Sequence, residues 1–222
     1  MISSAPVFRH ALVLLFALVL SLPAIALGQS ERRLSIGQET SPDVIIATAT
    51  EEIVAIIKAH RGIESSAAER ERVAGIIQAK LAPLFDFTAM TRLAVGASWR
   101  HATPEEQRRL VEEFRALLLH TYSRVLLLYQ DHTIVFKPLR MTAGATDAMV
   151  RFELQQSGRD AISITLAMEK MPEGWKVYDV TVGGMSLVTT YRDSFKTKIR
   201  ESGIDGLIRE LEEKNRQLRG RP

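Results

Sequence analysis

The chain has 222 residues, of which 46% are hydrophobic and 25% charged, and its formal net charge is +3. That composition is ordinary for a globular protein, and so small a charge, without a block of one sign, leaves no nucleic-acid arm. Cysteine is absent, which excludes a disulfide scaffold, an iron–sulfur site and a thiol nucleophile, so stability must come from a packed core.

Residues 1–26 read as a cleaved export signal. Arg9 and His10 precede the apolar run ALVLLFALVLSLP, and Ala24-Ile25-Ala26 gives a small-residue cleavage pattern. The run is short of the ~20 residues that a membrane span needs. Residues 27–222 then form a single domain, opening on a loose, polar lead-in over 27–40.

Helical signals come first. Ser41-Pro42-Asp43 supplies a cap, a proline at the first helical position and an acid near the positive end, predicting a helix to about Ala59 with Gly62 as its stop. Ser66 and Glu69 have capping-box spacing, and Val73, Ile76, Ile77, Lys80 and Leu81, with only Lys80 polar, mark one face of the helix that follows. Pro83 and the Phe85-Asp86-Phe87 turn end it. A short helix is predicted over 88–95, closed by Gly96. Thr103-Pro104-Glu105-Glu106 is the clearest helix start in the chain, and the stripe Leu110, Phe114, Leu117, Leu118, Thr121, Tyr122, Val125, Leu128 and Tyr129 carries that helix to about Tyr129. Leu126 and Leu127 widen the stripe, so this end must be covered on several sides.

The period then changes. Four short runs, 133–139, 148–155, 161–169 and 175–182, are separated by Gly, Pro, Asp and Ser. Ala148, Val150, Phe152 and Leu154 alternate with Met149, Arg151, Glu153 and Gln155, and Ile162, Ile164, Leu166 and Met168 alternate with small or polar residues. One greasy face and short connections predict an antiparallel meander covered on one side. Two helices return: Val188, Tyr191, Phe195 and Ile199 share a side, Gly203 breaks the chain, and Asp205 is placed to cap the segment with Leu207, Ile208 and Leu211. Glu210–Lys214 and Glu212–Arg216 are spaced as i,i+4 pairs on a solvated C-terminal helix.

Reactive constellations are scarce. Gly184-Met185-Ser186-Leu187-Val188 resembles half of a nucleophile elbow, but Val188 stands where the tight turn needs glycine; Ser186 is better placed as a helix cap. The five histidines are scattered, without metal-site spacing. Gly183-Gly184 lacks the lysine and flanking glycines of a phosphate loop and marks a bend. Tyr178-Asp179 leaves two readings open: a general base in a cone-shaped isomerase or hydrolase, or an acid bonded to a neighbouring strand or helix end. No catalytic residue, metal or cofactor is assigned from spacing.

Phe85-Asp86-Phe87, Gly96…Trp99-Arg100…Thr103-Pro104, Val177-Tyr178-Asp179-Val180, Gly184-Met185-Ser186-Leu187, Tyr191-Arg192, Phe195 and Gly203-Ile204-Asp205-Gly206-Leu207-Ile208 together resemble the MlaC-type periplasmic phospholipid-binding proteins, also called the toluene-tolerance family. The likeness covers about residues 43–215. Gly183 departs from it, since such proteins often carry an acid there.

The resemblance implies an α+β fold in which helices wrap a curved antiparallel sheet of about four strands around an apolar pocket, as in an NTF2-like cone. It implies no reaction, but a periplasmic carrier of one phospholipid. Such a carrier serves an outer-membrane lipoprotein complex and an inner-membrane lipid ABC transporter complex, and is expected to act as a monomer. Facing positions on the long helix, the sheet and the returning helix then nominate a pocket wall. The long helix offers Tyr122, Val125 and Tyr129. The sheet offers Val150, Phe152, Ile164, Leu166, Met168, Trp175 and Val177, and the returning segment Met185, Val188 and Tyr191. Arg192 is assigned to structure or to a partner surface. On composition alone solid core is the favoured reading of these residues and a cavity the sharper one, and a docking module without ligand is a further reading.

Overall fold

The computed structural model describes residues 40–60, 66–127, 132–142, 144–158 and 160–219. The export signal, Gly62, Leu128 and Tyr129 lie outside the described residues.

The helices begin where local chemistry says they should. α1 (Pro42–Ala59) follows Ser41, whose hydroxyl donates to Asp43 at 2.6 Å instead of accepting from the backbone. α2 (Ala67–Leu81) is capped by Ser66, which accepts from the Glu69 amide. α3 (Phe87–Val95) starts at Asp86, whose Oδ1 accepts from the Ala89 amide at 2.8 Å, and it ends at Gly96 with φ +65°. A 3-10 turn (Gly96–His101) leads to α4 (Pro104–Leu126), whose capping box is complete. There Glu106 N–H donates to Thr103 Oγ1 at 3.2 Å, and Thr103 N–H donates to Glu106 Oε2 at 2.7 Å.

The sheet contains β1 (Thr133–Phe136), β2 (Asp147–Gln155), β3 (Ile162–Met171), β4 (Gly174–Val182) and β5 (Met185–Ser186), antiparallel and in that order. The first strand is shorter than predicted, and a fifth strand joins the expected four. It follows a hairpin in which Val182 pairs with Met185 across Gly183 and Gly184, both at positive φ (56° and 85°). Two left-handed residues in succession are what a type I′ turn requires.

α5 (Leu187–Arg219) is two helices in succession, broken at Ser202 and Gly203, where φ/ψ leave the helical region. Helical geometry resumes directly after Gly203, so Asp205 lies in the first turn and not at the cap. The second half is not a solvated tail: Leu207, Ile208, Leu211 and Asn215 are buried, and the Asn215 amide donates to the Glu113 carbonyl at 2.9 Å. Glu212 pairs with Arg109 of α4 at 2.6 Å, and Arg216 turns to Glu213; the predicted Glu210–Lys214 pair forms at 2.8 Å.

Apolar side chains gather in distinct clusters. A helical core joins α3, α4 and α5 through Met90, Leu110, Phe114, Phe195 and Ile208. A sheet core sets Val150, Leu166, Met168 and Val177 against Ile45 and Ile46 of α1. A third cluster packs Ile53 and Ile57 of α1 on Val73 and Ile77 of α2, with Leu126 and Leu127 beside it. Phe85 touches both of the larger clusters, while Phe87 is buried in the helical one. The Asp86 amide donates to the Val177 carbonyl at 2.9 Å, so this turn ties the helices to the sheet.

Candidate functional site

The greasy side of the sheet is assembled by register. Ala148, Val150, Phe152 and Leu154 lie opposite Met168, Leu166, Ile164 and Ile162, and Phe136 lies opposite Phe152. On the other flank Val177, Val180 and Val182 face Met168, Leu166 and Ile164. A β-bulge makes this possible. The pairing shifts between Ala167 and Met168, leaving Tyr178 as the extra residue, so Asp179 pairs with Ala167 on the opposite side. Strict alternation from Val177 would have put Asp179 among the hydrophobes; the inserted residue puts Val180 there instead.

Cover on this face is uneven. Val150 (2% exposed) and Val177 (0%) are buried in the cluster that also holds Ile45 and Ile46 of α1. Further along the same strands, Phe136, Phe152, Leu154, Ile162 and Val180 are only half-buried, and Val182 is 40% exposed. Phe136 and Phe152 hold each other at 5.2 Å between ring centroids. An apolar surface that is closed at one end and open at the other is therefore continuous along β2, β3 and β4.

The nominated wall residues fall into different settings. Val150, Ile164, Leu166, Met168, Trp175 and Val177 are buried in the sheet core, with Phe152 packed against it. Val188 is buried in the helical core instead, where Tyr122 and Tyr191 also pack. Tyr191 meets Phe114 edge-on at 4.9 Å and hydrogen-bonds with Tyr122; burial first, then that neighbour, pushes Tyr191 up to about 12. Val125 is half-buried on α4, Met185 is 72% exposed, and Tyr129 lies outside the described residues. The nominated residues are thus divided between the sheet core and the helical core. The sheet set converges, whereas Tyr122, Val188 and Tyr191 serve another core. Leu154, Ile162 and Val180 share the apolar side of the sheet with the nominated residues; the alternation of the first two was visible in the sequence, whereas only the bulge turns Val180 inward.

Asp179 is occupied structurally. Its Oδ1 accepts from the Val180 amide at 2.8 Å and the Val188 amide at 3.1 Å, and its Oδ2 accepts from Ser186 Oγ at 2.6 Å. Ser186 in turn accepts from the Thr189 amide at 3.0 Å. The carboxylate and the serine cap the first turn of α5, where an anion is favoured. Among the described residues no group of three or more His, Cys, Asp or Glu is placed to hold a metal, and no helix is long and apolar enough to cross a membrane.

Fold and site together define an α+β protein built on an open antiparallel sheet whose apolar side is partly covered by a helix. The chain belongs to the MlaC protein family, whose model matches residues 47–213. It is 25% identical over 173 residues to the toluene tolerance protein ttg2D of Pseudomonas putida, covering 78% of this chain and 79% of that one. It is also similar to the solved structure of a phospholipid-binding protein from Ralstonia solanacearum in complex with a phospholipid. There the identity is 32% and the TM-score 0.71, over 81% of this chain and 99% of the other.

Proposed function

We propose that this protein is a non-enzymatic periplasmic carrier that shelters a phospholipid against the apolar side of its sheet. It moves that lipid between an outer-membrane lipoprotein complex and an inner-membrane lipid ABC transporter complex. The observation that carries the reading is the continuous greasy face, sealed at Val150 and Val177 and open at Phe152 and Val182, in a chain whose structural relative is described with a phospholipid bound. The export signal read over residues 1–26 fits the compartment.

The energetics suit such a role. Each methylene withdrawn from water contributes about 0.8 kcal/mol, so two acyl chains of roughly 30 methylenes represent about 24 kcal/mol. A bilayer offers nearly the same environment as the sheet face. Transfer between the two is then close to neutral, and small differences in partner affinity set its direction. Acyl chains would enter beside Phe136, Phe152 and Val182 and advance by displacing Ile45 and Ile46, the α1 side chains that plug the closed end. Met168, at the bottom, adapts to tails of different shape.

Organic extraction of the purified protein followed by mass spectrometry tests this directly, with phospholipid near one per chain as the expected result. Phe152→Arg and Val182→Arg, at the open end where a long side chain can reach water, are expected to lose most of that lipid while keeping the parent's circular dichroism. An unchanged lipid load in both variants would remove the sheet face as the site.

A further inference from the structure

We infer that the arginine-rimmed cleft between α3, the Gly96–His101 turn and the start of α5 is a docking site for an acidic segment of a protein partner. This goes beyond the carrier reading, because the cleft is built on the helical core and not on the sheet face. It measures about 580 Å³. Its floor is Leu93 and Trp99, both half-buried against the helical core, and Gly96 and Ala97 add almost no bulk above them. Its rim is Arg92, Arg100 and Arg192, all exposed, and no carboxylate lines it.

Arginines among the described residues divide into paired and unpaired ones. Arg72, Arg108, Arg109, Arg124 and Arg216 each close an ion pair with a glutamate. The three rim arginines close none among the described residues; Glu169 senses the charge of Arg92 without pairing to it. Arg192 is held in position by its Nε, which donates to the Leu93 carbonyl at 2.9 Å, so its remaining donors are available at a fixed place. Guanidinium groups present a planar fork that matches carboxylates, and an indole face accepts an apolar or aromatic side chain. A shallow apolar floor flanked by three forks suits an extended chain carrying Asp or Glu around an aromatic residue.

The test uses the purified protein and a short peptide rich in Asp and Glu with one central Phe. Trp99 serves as fluorescence reporter, since the other of the two tryptophans, Trp175, is buried. Saturable binding is expected, with amide shifts confined to residues 92–100 and the surroundings of Arg192. Affinity should fall about tenfold or more in Arg100→Glu and in Arg92→Gln/Arg100→Gln, and fall also with added salt. Phospholipid load should not change in either variant. The inference is overturned if the peptide gives no saturable signal, or if both variants bind it as the parent does. It is equally overturned if inorganic phosphate, or vesicles of phosphatidylglycerol and phosphatidylcholine, produce the arginine-dependent signal and the peptide does not. Peptide docking without any phospholipid load would overturn the carrier reading and leave this one standing.

Discussion

Asp179 and Glu169 sit on neighbouring strands and do opposite things with their charge. Asp179 is met by three donors, two of them backbone amides, and removing the carboxylate strands those donors in a part-buried corner. Hydrogen bonds to a charged group contribute about 1.5–3 kcal/mol, so Asp179→Ala is expected to destabilise by about 2–3 kcal/mol in urea melts. Asp179→Asn should cost less, because one amide oxygen still accepts from the Val180 and Val188 amides. A silent alanine variant would mean that the hairpin and α5 do not depend on this knot. Glu169 is held above the usual carboxylate range by burial, then by the charge of Asp86 and a hydrogen bond with it. A folded-state value above the unfolded one means that the folded chain binds the proton more tightly. That contribution is present at low pH and is lost as pH rises through the folded value. Glu169→Gln, which stays neutral, is therefore expected to raise the melting temperature at pH 7, with the advantage shrinking as pH falls toward the unfolded value. A gain that does not vary with pH would point to packing instead.

α5 shows the same logic for a whole element. Lys198 and Glu210 are twelve residues apart, a separation of about 18 Å along a straight helix, yet their charges meet at 3.3 Å. The chain reverses sharply between them at Gly203, with φ 69° and ψ −177°, a combination essentially reserved for glycine. Gly203→Ala should cost about 1–3 kcal/mol and release Leu207, Ile208 and Leu211 from α4. The effect is read in urea melts and in amide exchange at the C-terminal half of α5. Close packing at the break constrains a second glycine as well, since a Cβ on Gly206 would run into the Ser202 side chain. The break was legible in the sequence because glycine acts through its own backbone, and so was the capping box at Thr103, where all the chemistry lies within one turn. The partner of Glu212 was not legible. Arg216 stands at the right local spacing, but Arg109, 103 positions away, takes the contact. Only the fold decides between a neighbour in sequence and one across a helix pair.

At the scale of the molecule, the meander and its greasy side could be read from alternation along β2 and β3, whereas the division of hydrophobes between cores could not. Tyr122, Val188 and Tyr191 have the same composition and spacing as wall residues, and nothing local distinguishes a helix stripe that packs on helices from one that packs on a sheet. The bulge at Tyr178 was hidden for a related reason: an extra residue reverses a strand's facing without changing its composition. The division into cores carries a consequence for lipid binding. A phospholipid lodged on the sheet face would stabilise the residues it touches by mass action and exclude water from β2, β3, β4 and the underside of α1. The helical core, from Leu110 to Leu118, is already packed on itself around Phe114 and gains nothing locally from the ligand. Hydrogen exchange of loaded and delipidated protein should therefore differ in two regions: residues 148–182 and the Ile45–Ile46 turn of α1. Sub-global openings of α4 and of the second half of α5 should exchange alike in both samples. Equal protection across all elements would show instead that the two cores open as one unit and that the ligand is felt throughout the fold.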